Sequence, residues 1–316
     1  MYGDSEKSGS KIVVIGAANI DIVGRLTESP NPGTSVPAKV RPSFGGVARN
    51  VAENLCNLEQ DVTFITAVGN NIFGALLLQH LSDMGINTEH SIISDEFYTS
   101  SYLAVLTEEA TLNFALADMR VLSQLTSQHI YDNEEILKDA DCIFFDANVP
   151  EETIAAIVDI AVKYNVKLFG DATSHSVAKR MSPYLKHFSM LNANMHEIET
   201  LIDQEFEITG RTSAIKAARK LINQGLELVV IPMADLGVCY ASTDTSGHVP
   251  AIKTKIADPT GAGDALSAAL IFGLLNDIPI DDTVRLGVMA ASLTLNYPGT
   301  VLPTLSVETL YDLTMN

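Results

Sequence analysis

Asp258-Pro259-Thr260-Gly261-Ala262-Gly263-Asp264 runs directly into Ala265-Leu266-Ser267-Ala268-Ala269-Leu270-Ile271-Phe272-Gly273-Leu274-Leu275. Small residues ahead of a helical apolar run leave backbone N–H groups uncovered where the helix dipole is positive, so the turn can hold an anion such as a phosphate. Asp264 does not suit a plain anion site, because a carboxylate there costs Coulomb energy unless it handles a proton. A hydroxyl attacking a phosphoryl group needs such a proton acceptor. The alternative is an ordinary helix start capped by Thr260 or Asp264. The rest of the chain decides between the two.

Upstream of this stretch the pattern is regular from Asp141. Strands over 142–145, 166–169, 188–191 and 227–231 alternate with helices over 151–164, 195–202 and 212–224. That alternation predicts an α/β fold with a mostly parallel central sheet and helices on both faces. Nearer the start, the β-branched run Lys11-Ile12-Val13-Val14-Ile15-Gly16 predicts a buried first strand, and Asp61 to Val68 a further one. Asn19 and Asp21 follow the first strand, where parallel sheets place ligand contacts; a satisfied turn is the alternative. Gly45-Gly46-Val47-Ala48-Arg49-Asn50 opens a helix over 51–58 and lets a ligand approach its backbone closely. A helix is also expected over 72–84. Tyr98 to Leu106 alternates and is answered by Thr111 to Ala115, an antiparallel hairpin that joins the Pro-rich stretch 27–44 in a small added sheet.

The 316-residue chain, 47% hydrophobic with mean hydropathy +0.18, predicts one large, soluble, well-packed domain over 11–316. The polar residues 1–10 read as a disordered tail rather than a targeting signal. Thirty-nine acidic against 20 basic residues, net charge −19, disfavour a nucleic-acid partner. The longest apolar run, 265–275, is too short for a membrane span. Three separated cysteines without metal spacing fit a reducing cytoplasm.

A third constellation is Asn192-Ala193-Asn194-Met195-His196-Glu197, at a strand end with Glu197 one turn into the next helix. Such amides and a carboxylate can order the waters of a Mg²⁺ ion. Glu197 is alternatively a first-turn carboxylate favoured by the helix dipole.

Together, Gly45-Gly46 with Asn50, Asn192 to Glu197 and Asp258 to Asp264 resemble the ribokinase-like (PfkB) family of sugar and nucleoside kinases, in the right order from Val13 to about Pro303. The resemblance implies ATP, Mg²⁺ and K⁺ as partners, with Asp264 as base and Gly261, Ala262 and Gly263 as an anion hole. It implies that Asn194, Gly237 and Thr260 meet ATP, that Glu197 reaches Mg²⁺ through water, and that Asp258 with Thr260 forms part of a K⁺ site. Asn19, Asp21, Gly45, Gly46, Asn50, Ser100 and Tyr102 fall to the acceptor. A lid from segments near 21–44 and 96–120 covers the sugar, and its edge favours a homodimer.

Within the family, the runs 45–55, 99–103 and 118–119 look most like the pseudouridine kinases, which act on the 5′-hydroxyl of a nucleoside. Kinases for another nucleoside, ribose or a hexose, and a catalytically weak nucleotide-binding relative, are the alternatives. Ala193 and Ala172 replace prolines, and Glu59 stands where Gly or Ser is usual. The T-x-G-x-x-G phosphate loop reads Pro232-Met233-Ala234-Asp235-Leu236-Gly237, and Val177 replaces a Lys.

Overall fold

Residues of the first strand alternate between two buried environments. In β1 (Lys11–Ile15), Ile12 and Val14 join one core and Val13 and Ile15 the other. A parallel strand covered by helices on both faces requires this, which is why the run is apolar throughout. The computed structural model describes residues 9–30, 33–109, 111–202 and 206–314.

From β1 the chain passes into β2 (Asn19–Leu26), β3 (Ala38–Gly45), α1 (Val47–Asn57), β4 (Asp61–Ile65), β5 (Ala67–Gly69), α2 (Ile72–Asp83) and β6 (Ile92–Ser94). A hairpin, β7 (Ser101–Leu106) and β8 (Leu112–Asp118), precedes the short helices α3 (Ser127–Asp132) and α4 (Glu134–Lys138). The alternating half comprises β9 (Cys142–Asp146), α5 (Glu151–Tyr164), β10 (Lys167–Asp171), α6 (His175–Ala178), β11 (Met190–Asn192), α7 (Met195–Leu201), α8 (Arg211–Ile222) and β12 (Leu228–Pro232). It closes with β13 (Val238–Ser242), β14 (Ser246–Val249), α9 (Ala262–Leu275), α10 (Ile280–Leu295) and α11 (Val307–Thr314).

The main sheet has eight strands in the order β14-β13-β12-β11-β10-β9-β1-β4. Its six strands from β12 to β4 pair in parallel, and β13 and β14 add an antiparallel edge. Helices α1, α2, α9 and α10 pack with Ile12 and Val14, whereas α5, α7 and α8 pack with Val13 and Ile15. This is the α/β architecture the alternation predicts.

The second sheet, β3-β2-β7-β8, combines a parallel β2–β7 pair with antiparallel neighbours. Register places Asp21, Ser43, Tyr102 and Ala117 on one rung and face. Ile22, Val40, Leu103, Phe114 and Leu116 share the opposite face, and all but Ile22 are exposed large apolar residues.

Several expectations need correcting. Asn19 and Asp21 lie in β2, which leaves β1 for the lid without a turn-and-helix crossover. Helix α1 starts at Val47 rather than Val51, so Arg49 and Asn50 occupy its first turn. The apolar run 61–68 is two strands, because β5 leaves the main sheet to pair with β6. Of the expected tail, 1–8 lies outside the described residues, but Ser10 accepts a hydrogen bond from Asp61 N at 3.0 Å and belongs to the sheet edge. Glu59 holds φ +61°, the left-handed region, which explains why glycine would be at ease there. Among the described residues no helix is long and apolar enough to cross a membrane.

Candidate active site

The carboxyl ends of β1, β9, β10 and β11 converge below the lid, and α9 points its first turn at them. Gly261, φ +82°, stands at the N-cap of helix α9, and no side chain caps it. The capping alternative for Thr260 and Asp264 therefore falls. Residues 262–264 have no intrahelical acceptors for their N–H groups. A Cβ on Gly261 would collide with the Thr300 carbonyl, whereas one on Gly263 would meet open space. The turn thus needs glycine on one side for closeness and leaves room on the other for a group the size of a phosphate.

Asp264 is 8% exposed, and its Oδ2 accepts a 2.5 Å hydrogen bond from Asn50 Nδ2. Burial pushes its carboxyl up to about 7; the Asn50 amide and the Arg49 charge pull it down, and Asp146 and Asp21 push it further up. A carboxyl poised near neutral pH is suited to accepting a proton. Asp21 is likewise raised to about 6 by burial, against the Arg49 charge and the Asn19 amide.

Asn19 is itself buried and donates from Nδ2 to Asp21 Oδ1 at 2.5 Å, so it orients Asp21. Gly45 is where the Asp21 carboxylate presses on the backbone, and Gly46, φ +102°, lies against the Ala17 carbonyl. Ser100 is buried with its hydroxyl free of partners among the described residues, and Tyr102 is partly exposed beside Asp21.

The Asn194 and Glu197 side chains satisfy each other and the start of α7. Asn194 Oδ1 accepts from Glu197 N at 3.1 Å, and Glu197 Oε2 accepts from Asn194 N at 2.8 Å. Glu197 therefore sits in the first turn of α7, as its dipole alternative expects, and closes a capping box with Asn194, while burial pushes its carboxyl up. Asp258 Oδ1 accepts from Thr260 N at 2.9 Å and shapes the approach to the Gly261 turn. Gly237, φ +91°, is demanded by the nearby Val249 carbonyl. Ala234 occupies a glycine position of the family loop yet keeps φ +50°, a strain of about 1 kcal/mol.

Four groups were not singled out from sequence. Asp146, fully buried at the end of β9, accepts from Ala17 N at 3.0 Å and Ala48 N at 2.9 Å, tying β1 to α1. Asp171 Oδ2 accepts from Asn192 Nδ2 at 2.9 Å, with Asn192 also reaching Ser267 Oγ at 2.9 Å. Burial and the neighbouring Glu197 and Asp264 raise Asp171 well above the usual carboxylate range. Thr300 and Arg49 complete the set. An acidic residue ending an apolar strand was the one available signal, for Asp146 and Asp171 alike.

Asn192 Oδ1 is buried without a partner among the described residues, next to the Asp171 carboxylate. No cluster of three or more His, Cys, Asp or Glu residues could form a metal cage among the described residues. This donor set fits an ion held mainly by waters and phosphates.

A mostly parallel sheet, a small separate sheet and a buried carboxylate at an uncapped helix start are the frame of this site, and the family match makes the chain a phosphotransferase acting on a hydroxyl group. The chain matches the pfkB family carbohydrate kinase model over residues 10–306 and belongs to that family of sugar and nucleoside kinases, which use ATP, generally with Mg²⁺. It is 32% identical to the pseudouridine kinase of Escherichia coli (strain K12) over 306 residues, 96% of each chain. It is 29% identical to the guanosine-inosine kinase of Exiguobacterium acetylicum, covering 90% of this chain and 93% of that one. The ribokinase of Arabidopsis thaliana complexed with ribose and ATP superposes with TM-score 0.86 at 19% identity, over 96% of this chain and 98% of that one, a likeness of fold.

Proposed function

We propose that the chain transfers the γ-phosphoryl group of ATP to the 5′-hydroxyl of a nucleoside, with pseudouridine the first candidate. The observation that carries the nucleoside reading is a cavity of about 450 Å³ between the lid and the strand ends. Ala117, Met119 and Arg120 line it from the lid side, and Ser174, Ser176 and Val177 from the segment after β10. Ala117 lies on the Asp21 rung, so room for a base continues from the residues assigned to the sugar. The pseudouridine kinase and guanosine-inosine kinase relatives support the same class.

In this reading Asp21 and Asn50 grip ribose hydroxyls, and Asp264 takes the proton of the 5′-hydroxyl as its oxygen forms a bond to phosphorus and the bond to ADP breaks. Residues 261–263 offer N–H groups to the transferring phosphoryl, and the lid excludes competing water. Asn192, Asn194 and Glu197 would hold the waters around Mg²⁺. When bound, Mg²⁺ neutralises phosphate charge that builds on the leaving group. Asp258 and Thr260 are retained as the K⁺ site.

Steady-state kcat/KM across pseudouridine, uridine, cytidine, 2′-deoxyuridine, free ribose and a hexose tests the reading. Ribosides should exceed 2′-deoxyribosides by about 10- to 150-fold, the worth of a hydrogen bond to a charged group. With Val177 presenting an apolar wall, pseudouridine should lead uridine by no more than shape discrimination allows, about 10–200-fold. A preference for free ribose or a hexose would overturn the nucleoside assignment and leave the kinase. No turnover with any acceptor would favour the weak nucleotide-binding relative, which the strained Ala234 loop motivates.

The same proposal includes a homodimer through the lid. A chain of net charge −19 repels its own copy, and the apolar face of Val40, Leu103, Phe114 and Leu116 offers an uncharged surface for self-pairing. Sedimentation velocity should show a dimer that Phe114→Glu converts to monomer; a monomeric parent chain would remove this part.

A further inference from the structure

Arg49 is 2% exposed, in the first turn of α1 and within a short reach of the reacting groups. Burying a guanidinium is costly unless its donors are satisfied. Here Nε donates to the Gly45 carbonyl at 3.3 Å and Nη1 to Glu53. Nη2 donates to the Phe44 carbonyl at 2.7 Å, to Thr300 Oγ1 at 2.8 Å and to Asn50 Oδ1. One planar fork therefore joins the end of lid strand β3, the helix that carries Asn50, and the residue whose carbonyl seats Gly261.

We infer that Arg49 is a positioning residue of phosphoryl transfer: it orients the Asn50 amide toward Asp264 and sets a cation against the carboxylates of Asp264 and Asp21. The inference rests on Asp264 being the base. Glu53 alone would balance the charge of a structural arginine, as an i,i+4 pair on one helix. The Nη2 bonds go elsewhere. Because Asn50 Oδ1 accepts from Arg49, its Nδ2 must be the atom that meets Asp264 Oδ2. Asp264 Oδ1 is then the oxygen left to take the acceptor's proton. The acceptor oxygen bonds to phosphorus as the bond to ADP breaks, and its proton passes to the Asp264 carboxylate while Arg49 stays charged.

The charges around Asp264 show what removal of Arg49 would do. Asp21 faces it from β2, Asp146 from β9 and Asp171 from β10, while Glu53 on α1 is shared between Arg49 and His80 of α2. Arg49 is the cation that draws Asp264 and Asp21 toward ionisation. Without it, the Asp146 and Asp21 carboxylates would oppose the ionised base with no counter-charge, and the loss of a close opposite charge raises a carboxyl by about one to three pH units. Lys in its place would keep the charge but, as a point donor on a flexible stem, could not hold Asn50, Phe44 and Thr300 together.

The test compares Arg49→Met, Arg49→Lys, Asp264→Asn and the parent enzyme by kcat, KM, the pH profile of kcat/KM, and Tm. Arg49→Met should lower kcat by about 10²-fold and move the acid limb of the profile up by about one pH unit or more. Arg49→Lys should restore the limb to its parent position yet remain about tenfold low in kcat, because the amide is no longer held. A lowered Tm in Arg49→Met with the acid limb unmoved and kcat within about threefold of the parent would overturn the inference and leave a structural ion pair. If Arg49→Met does not fold, Arg49→Lys decides: parent-level kcat overturns the inference, and reduced kcat with an unmoved limb supports it. A parent profile without an acid limb, or an active Asp264→Asn, overturns the base assignment and the inference with it. A limb in the parent, an inactive Asp264→Asn and no limb shift in Arg49→Met overturn the inference alone.

Discussion

Asp264→Asn is expected to lower kcat by roughly 10²–10⁴ while leaving the affinity for ATP nearly unchanged. Asn keeps the size and can still accept from the Asn50 amide, so the change isolates proton transfer from packing. The parent enzyme should lose activity as pH falls through about 7, because the base must be ionised and burial holds it protonated below that value. Stability should follow the opposite course. Between about pH 4 and pH 7 the folded chain retains a proton that the unfolded chain has released, so stability falls as pH rises through the folded value. Asp264→Asn carries no such penalty, and its Tm should gain on the parent more at pH 8 than at pH 5. Substantial turnover by Asp264→Asn at neutral pH would remove Asp264 from the chemistry.

Gly261→Ala is the second large effect. The backbone there has φ +82°, and the new methyl would be driven into the Thr300 backbone carbonyl, a contact no rotamer can relieve. The turn must shift, and with it the N–H groups of residues 262–264. Loss of one aligned donor to a developing anion costs about 10²–10³ in kcat. We expect a fall of that order with acceptor KM little changed, together with about 1–2 kcal/mol of lost stability from the left-handed alanine alone. Denaturant titration and initial-rate kinetics check the two parts. Unimpaired kcat in a destabilised Gly261→Ala would make the turn a structural device rather than an anion hole. Gly263→Ala is a useful contrast, since its Cβ would enter open space and any loss would report on ligand room.

The amino-acid order was sufficient for features whose cause is local. The Gly-Ala-Gly-Asp run before an apolar helix, the strand and helix periods, and the Gly45-Gly46 start of α1 are read from backbone conformation and burial within a few residues. For that reason the α/β class and the candidate base are legible in the sequence alone. Boundaries slipped where neighbours outside the window decided them. Thus 61–68 divides because β5 finds β6, and 19–26 is a strand because β3 and β7 pair with it.

Partners distant along the chain were not readable in this way. Asn50 and Asp264 are 214 residues apart, and Arg49 and Thr300 are 251 apart. The strand order that brings the ends of β1, β9, β10 and β11 under α9 sets these pairings, and a single chain carries no local mark of them. Arg49 reads in sequence as part of the run that opens a helix, and Asp146 directly follows the strand expected over 142–145. Burial beside other carboxylates gives Asp264 its poise near neutral pH, and it exists only once the fold excludes water from that crevice.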